Sequence, residues 1–104
     1  MKLFAITLLA AASTSTSAAE ASAISPAARL AATCAACHGT AGHTQGGTLP
    51  SLAGQTQQAL SASLRDFKSG KRAATIMTQI AKGYTDEQIE LLAAYFAAQK
   101  REAK

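Results

Sequence analysis

The chain has 104 residues, a formal net charge of +4 and two cysteines. That length allows one small domain. The few aromatics (Phe4, Phe67, Tyr84, Tyr95, Phe96) are not interleaved with the basic residues, so the positive charge does not build a stacking platform for nucleic acid, and no nucleic-acid partner is expected.

Met1 and Lys2 give a positive start, and Leu3 to Ala12 is an apolar run broken only by Thr7. Small residues follow from Ser13 to Ala23. This is the order of a secretory signal peptide, and the apolar run is too short to span a bilayer. Cleavage after Ala19 leaves a domain at 20–104; cleavage after Ala23 is the alternative. A retained anchor helix is the competing reading, disfavoured because the residues downstream are small and not charged. No later segment is apolar enough for stable membrane insertion. Export places the mature chain in the periplasm.

Ser25-Pro26 predicts a helix start, with serine as the cap and proline at the first helical position. Ala27 to Cys34 reads as a short helix with Ala27, Leu30, Ala31 and Cys34 on one face. It runs into Cys34-Ala35-Ala36-Cys37-His38, which is C-x-x-C-H, the attachment signature of a c-type haem. The two thiols can add to the two porphyrin vinyl groups, and His38 is then brought under the iron as an axial ligand. As a disulfide the same cysteines would close a tiny loop and stabilise little. As thioethers they tie a large apolar cofactor into a mature chain of roughly 80–85 residues, whose own core is thin.

His38 to Pro50 has no hydrophobic period and reads as loop. Its glycines serve as flexible connection, or as backbone passing close to a flat cofactor. Thr56 or Gln57 to Ser69 is the next helix, with Leu60, Leu64 and Phe67 as its stripe and Gly70 as its stop. Lys71 to Gly83 begins as loop and has room for a turn of helix. Thr85-Asp86-Glu87-Gln88 is a capping box. The last helix runs from Asp86 to about Gln99, with Ile89, Leu92, Ala93 and Phe96 inward and Tyr95 at the margin. The chain is therefore all-α, with three to four helices by this reading.

A histidine-bound haem iron has a sixth position, open for gas chemistry or closed for electron transfer. In the mature chain only Met77 and His43 remain as candidates. His43 follows His38 too closely to reach the opposite porphyrin face. Met77 lies beyond a full helix, and its soft thioether raises the potential. A core gap-filler is the alternative role for Met77. A ligating imidazole needs its other N–H held by an acceptor; the Pro50 carbonyl is one candidate, and an ordinary turn proline is the other reading. Arg65, Lys68, Lys71, Arg72 and Lys82 gather around Met77. They suit a basic rim that steers an acidic partner, and Arg72 also suits a haem propionate. Asp86, Glu87 and Glu90 suit the N-terminus of the last helix and need no partner.

Taken together these residues resemble the class I c-type cytochromes over nearly the whole mature chain. Cys34 to Gly39 is similar to the haem-attachment turn. Leu49-Pro50-Ser51-Leu52-Ala53-Gly54-Gln55 is similar to the proline segment whose carbonyl holds the histidine ligand. Met77 falls where that family has its axial methionine, and Ala93-Ala94-Tyr95-Phe96 is similar to the end of its last helix. The resemblance implies a small all-α bundle around one covalently bound haem c, and an electron carrier with no catalytic residue of its own. Phe67-Lys68-Ser69-Gly70, Thr75-Ile76-Met77 and Ile80-Ala81-Lys82-Gly83-Tyr84 more narrowly resemble the mono-haem cytochrome subunit of flavocytochrome c sulfide dehydrogenase. That resemblance implies an FAD-containing flavoprotein subunit as electron donor and another periplasmic redox protein as acceptor. A free-standing cytochrome serving a terminal oxidase or other redox enzyme is the alternative. A thiol–disulfide oxidoreductase, a zinc site and a haem enzyme with an open sixth position are three further readings of the same cysteines and histidines.

Overall fold

The computed structural model describes residues 23–101; the segment expected to be a signal peptide, residues 1–19, lies outside them. The described residues are helical and contain no strand. In chain order they form α1 (Pro26–Ala31), α2 (Ala35–His38), α3 (Gln57–Ser69), α4 (Met77–Ala81) and α5 (Asp86–Ala98).

The helix starts follow local chemistry. The Ser25 hydroxyl accepts from the Ala28 N–H, with Pro26 at the first helical position. Thr56 caps α3 through the Ala59 N–H at 3.2 Å, and Gly70 ends it in the left-handed region, where glycine carries no Cβ penalty. At α5 the capping box is complete. The Thr85 hydroxyl accepts from the Gln88 N–H at 3.1 Å, and the Gln88 side-chain Oε1 accepts from the Thr85 N–H at 2.9 Å.

α5 is the axis of the fold and packs on both α1 and α3, while α4 packs on α3. Ile89, Leu92, Ala93 and Phe96 are buried along its inner side. With Ala31 and Leu60, three of them (Leu92, Ala93 and Phe96) make one core cluster, and Leu30, Cys34, Leu64, Tyr84 and Tyr95 pack on its margin. The ring of Phe96 meets Tyr95 edge-on at 5.1 Å, a favoured aromatic geometry.

Three details depart from the sequence reading. The first helix does not run unbroken from Ala27 to Cys34: α1 stops at Ala31, and a 3-10 turn over Ala32–Cys34 hands the chain to α2. The tighter winding lets the chain turn while its short-range hydrogen bonds continue. The loop after His38 also contains a 3-10 turn, Thr40–Gly42. Finally, two of the three acidic residues of α5, Asp86 and Glu90, do have partners. Asp86 bonds Lys68 at 2.9 Å and Arg65 at 3.2 Å, and Glu90 bonds Arg65 at 2.8 Å and also accepts from Ser61. Antiparallel packing of α3 on α5 brings these charges together, and their wide separation in sequence hides it.

Candidate functional site

The fold gathers Cys34, Cys37 and His38 on one short stretch of winding. Cys34 is half-buried against the core and Cys37 is exposed, and neither is in a disulfide. Burial pushes the Cys34 thiol above its ordinary value, hydrogen bonding with Thr33 works against that, and nearby Cys37 adds to it. A thiol raised in this way is a poor thiolate nucleophile. Without a strand framework among the described residues, nothing supports the thiol–disulfide exchange reading. The described residues also hold no group of three or more His, Cys, Asp and Glu side chains placed to bind a metal, so nothing supports the zinc reading.

His38 closes α2 and is 8% exposed. Its Nδ1 lies 2.8 Å from the Pro50 carbonyl oxygen. A carbonyl only accepts, so Nδ1 carries the hydrogen and donates it. The lone pair of the ring is then on Nε2, the tautomer a metal ligand requires.

What brings Pro50 to His38 is the carbonyl of Gly42. It accepts from three donors: the Leu52 N–H at 2.9 Å, the Ala53 N–H at 3.2 Å and the Ser51 hydroxyl at 2.8 Å. Those bonds fold the 43–50 loop back on itself. The Gly54 N–H then donates to the Phe96 carbonyl at 3.0 Å, which pins the Pro50 segment to α5. Gly42 has φ +82, and a Cβ there would lie 2.8 Å from the Phe96 ring and 2.9 Å from the Ala53 nitrogen. This glycine is required for close approach to the protein's own core. Gly46 and Gly47 meet nothing within 4 Å. Sequence reasoning did not distinguish them, because a glycine's neighbours in space leave no mark on its neighbours in sequence.

Met77 opens α4 and is half-buried. The chain before it is exposed from Ser69 to Ile76. Aliphatic side chains next in sequence to Pro50 and near Met77 stay out of the core: Leu49 is 43% exposed, and Ile76 and Ile80 are 58% and 37% exposed. The donor set and these exposed aliphatic side chains fit a haem. They supply two thiols at the required spacing, an imidazole with its lone pair on Nε2, a soft thioether and apolar surface.

The basic cluster is smaller than the sequence suggested. Arg65 and Lys68 are committed to Asp86 and Glu90, and Lys71 pairs with Asp66 at 3.7 Å. Arg72 lies with its guanidinium 4.7 Å from the Phe67 ring centroid and donates to the Ser63 hydroxyl at 3.2 Å. His43 is half-buried in the loop and its N–H bonds the Thr40 carbonyl at 3.0 Å.

The cytochrome c family model matches residues 24–100. The chain belongs to the cytochrome c family. It therefore carries covalently attached haem c, with Cys34 and Cys37 at the attachment spacing, and its general role is electron carriage. It is 45% identical over 67 residues to the cytochrome subunit of sulfide dehydrogenase of Chlorobaculum tepidum, across 64% of this chain and 60% of that protein. It is 41% identical over 70 residues to cytochrome c4 of Pseudomonas aeruginosa, across 67% of this chain and 35% of that protein. It is 39% identical over 71 residues to cytochrome c-554(548) of Halomonas halodenitrificans, across 65% of this chain and 86% of that protein. This chain thus spans little more than half of the first of these relatives and about a third of the second. Among the described residues no helix is long and apolar enough to cross a membrane.

Proposed function

We propose that this chain is an exported, periplasmic mono-haem electron carrier, and that it works as the haem subunit of a sulfide-oxidising flavocytochrome. Cys34 and Cys37 would attach the haem, His38 and Met77 would ligate its iron, and the Pro50 carbonyl braces His38. When bound, the haem supplies a one-electron couple. The chain's residues do the rest. The Pro50 bond holds the His38 ring in orientation and tautomer. Leu49, Ile76 and Ile80 wall the site with apolar surface and keep water from it. Arg72 leaves Ser63 to pair with a propionate. Lys82 remains as a basic group for steering. An iron closed on both sides moves electrons and does not bind substrate, so sulfide oxidation falls to an FAD-containing partner subunit, and another periplasmic redox protein takes the electron onward.

The observation that carries the subunit reading is the 45% identity to a sulfide dehydrogenase cytochrome subunit, which agrees with the motifs around Met77. The test mixes the holoprotein with an FAD-containing sulfide dehydrogenase subunit and follows haem reduction by sulfide. A stoichiometric complex whose haem is reduced only when the flavoprotein is present is expected. A holoprotein that forms no such complex and reduces a terminal oxidase directly overturns the subunit reading. It also establishes the second one, a free-standing carrier, which the match across 86% of cytochrome c-554(548) favours. The axial assignment is tested separately. The oxidised protein is expected to show the weak absorption near the red end that marks iron–thioether ligation, and high-spin features in its place overturn it.

A further inference from the structure

The segment that carries Met77 packs on α3 through α4, but its start has little to hold it. α4 has five residues, and its first turn has no side-chain cap. Upstream, the chain is exposed from Ser69 to Ile76. Ile76 and Ile80 stay out of the core, and within α4 only Ala81 is buried, at 0% exposure. Fixation comes just downstream. The Gly83 N–H donates to the Ile80 carbonyl at 3.1 Å and the Tyr84 N–H to the Ala81 carbonyl at 3.2 Å. The Tyr84 ring packs on the core cluster.

The Tyr84 hydroxyl then reaches 2.9 Å from the Thr33 hydroxyl, across 51 residues of sequence. Thr33 immediately precedes Cys34. The Thr33 hydroxyl also lies 3.1 Å from the Leu30 carbonyl, which can only accept. The result is a chain of hydrogen-bonded groups from the Tyr84 hydroxyl through the Thr33 hydroxyl to the Leu30 carbonyl. It joins the end of the methionine segment to the winding that carries both cysteines and His38.

We propose that Tyr84 is a positioning residue for the methionine side of the haem site, acting through its hydrogen bond to Thr33 as a clasp between the Met77 segment and the Cys34–His38 winding. The proposal rests on the axial reading of Met77, and its test keeps the two separable. Tyr84→Phe keeps the ring and deletes only the hydroxyl. Thr33→Val removes its hydroxyl partner at nearly constant shape, and Thr33→Ser restores it.

The experiment uses the covalently loaded holoproteins and titrates the ferric forms with imidazole, which competes with Met77 for the iron. A typical net hydrogen bond corresponds to a change of about fivefold in such an equilibrium. Tyr84→Phe and Thr33→Val are each expected to bind imidazole about fivefold more tightly, the double variant no more tightly than either, and Thr33→Ser like the parent. The red-end absorption is expected to weaken at lower temperature in the two single variants. Amide exchange at Met77 to Gly83 is expected to speed up in both, while the midpoint of global unfolding moves less. Parent-like imidazole affinity in Tyr84→Phe, or additive effects in the double variant, overturns the clasp. If the parent lacks the red-end absorption, the axial assignment fails by itself. Amide exchange then decides the clasp: faster exchange of Met77 to Gly83 in Tyr84→Phe supports it, and unchanged exchange overturns it.

Discussion

The segment that carries His38 and the segment that carries Met77 are built to different standards. His38 is buried, its Nδ1 is bonded to Pro50, and Pro50 is placed by three bonds converging on the Gly42 carbonyl and by the tie from Gly54 to Phe96. Met77 sits at the start of a five-residue helix that follows an exposed stretch, and it is secured by the packing of α4 on α3, by buried Ala81 and by Tyr84 just downstream. Regions with few buried contacts open at lower free energy than the core. With Met77 as the proposed second ligand, a fixed histidine side faces a methionine side that yields first.

The sharpest way to break the fixed side is to remove its covalent ties. Replacing both Cys34 and Cys37 by alanine is expected to abolish covalent haem entirely, read as haem-dependent staining of the denatured protein on a gel. Met77→Ala tests the other side. Haem content should be unchanged, while the red-end band disappears, the reduction potential falls and high-spin features grow, because methionine ligation favours reduced iron. Loss of attachment in Met77→Ala would contradict the division between the two sides.

Gly42→Ala strains both the backbone and the core. The new Cβ meets Phe96 and Ala53 at 2.8 and 2.9 Å, from a positive φ. A loss of about 2–4 kcal/mol is expected by chemical denaturation. Gly46→Ala, which meets nothing within 4 Å, should cost about 1 kcal/mol from backbone strain alone. Similar losses would show that the three bonds at the Gly42 carbonyl do not brace His38. Thr85→Ala removes half of the capping box and should cost about 1 kcal/mol, seen in the unfolding midpoint with the spectrum intact.

The smallest effect lies in the ion pairs that hold α3, the helix on which α4 packs, against α5. The Lys68 ammonium, with help from Arg65, holds the Asp86 carboxyl below its ordinary value. Hydrogen bonds from Arg65 and Ser61 do the same for Glu90. A lowered carboxylate stabilises the fold above its unfolded pKa, and that contribution is lost as pH falls through the folded one. These pairs are exposed, so the effect is modest and screened by salt. The thermal midpoint should fall as pH drops below about 4.5. In Arg65→Met the acid slope should be shallower at low salt, and the same slope in both proteins would show that the pairs contribute nothing.

What could be read along the chain was whatever is encoded locally. Cys34-Ala35-Ala36-Cys37-His38 is contiguous. Ser25-Pro26 and Thr85 to Gln88 are within one turn of the helices they start. The period of Ile89, Leu92, Ala93 and Phe96 identifies the buried side of α5. What could not be read was pairing across distance. Glu90 and Arg65 are 25 residues apart, Asp86 and Lys68 are 18 apart, and Tyr84 and Thr33 are 51 apart. Nothing in the local pattern marks Arg65 as spoken for, so it was counted with the steering charges.

By itself the sequence determined the chemistry: which atoms can bond a haem and which helices can form, because capping and attachment depend on neighbours in the chain. The tertiary structure decided which side of that chemistry is held firmly. Antiparallel packing of α3 on α5 set which charges are consumed. The carbonyl of one glycine among several drew Pro50 to His38. These outcomes depend on which surfaces meet, and that is fixed only when the core around α5 closes.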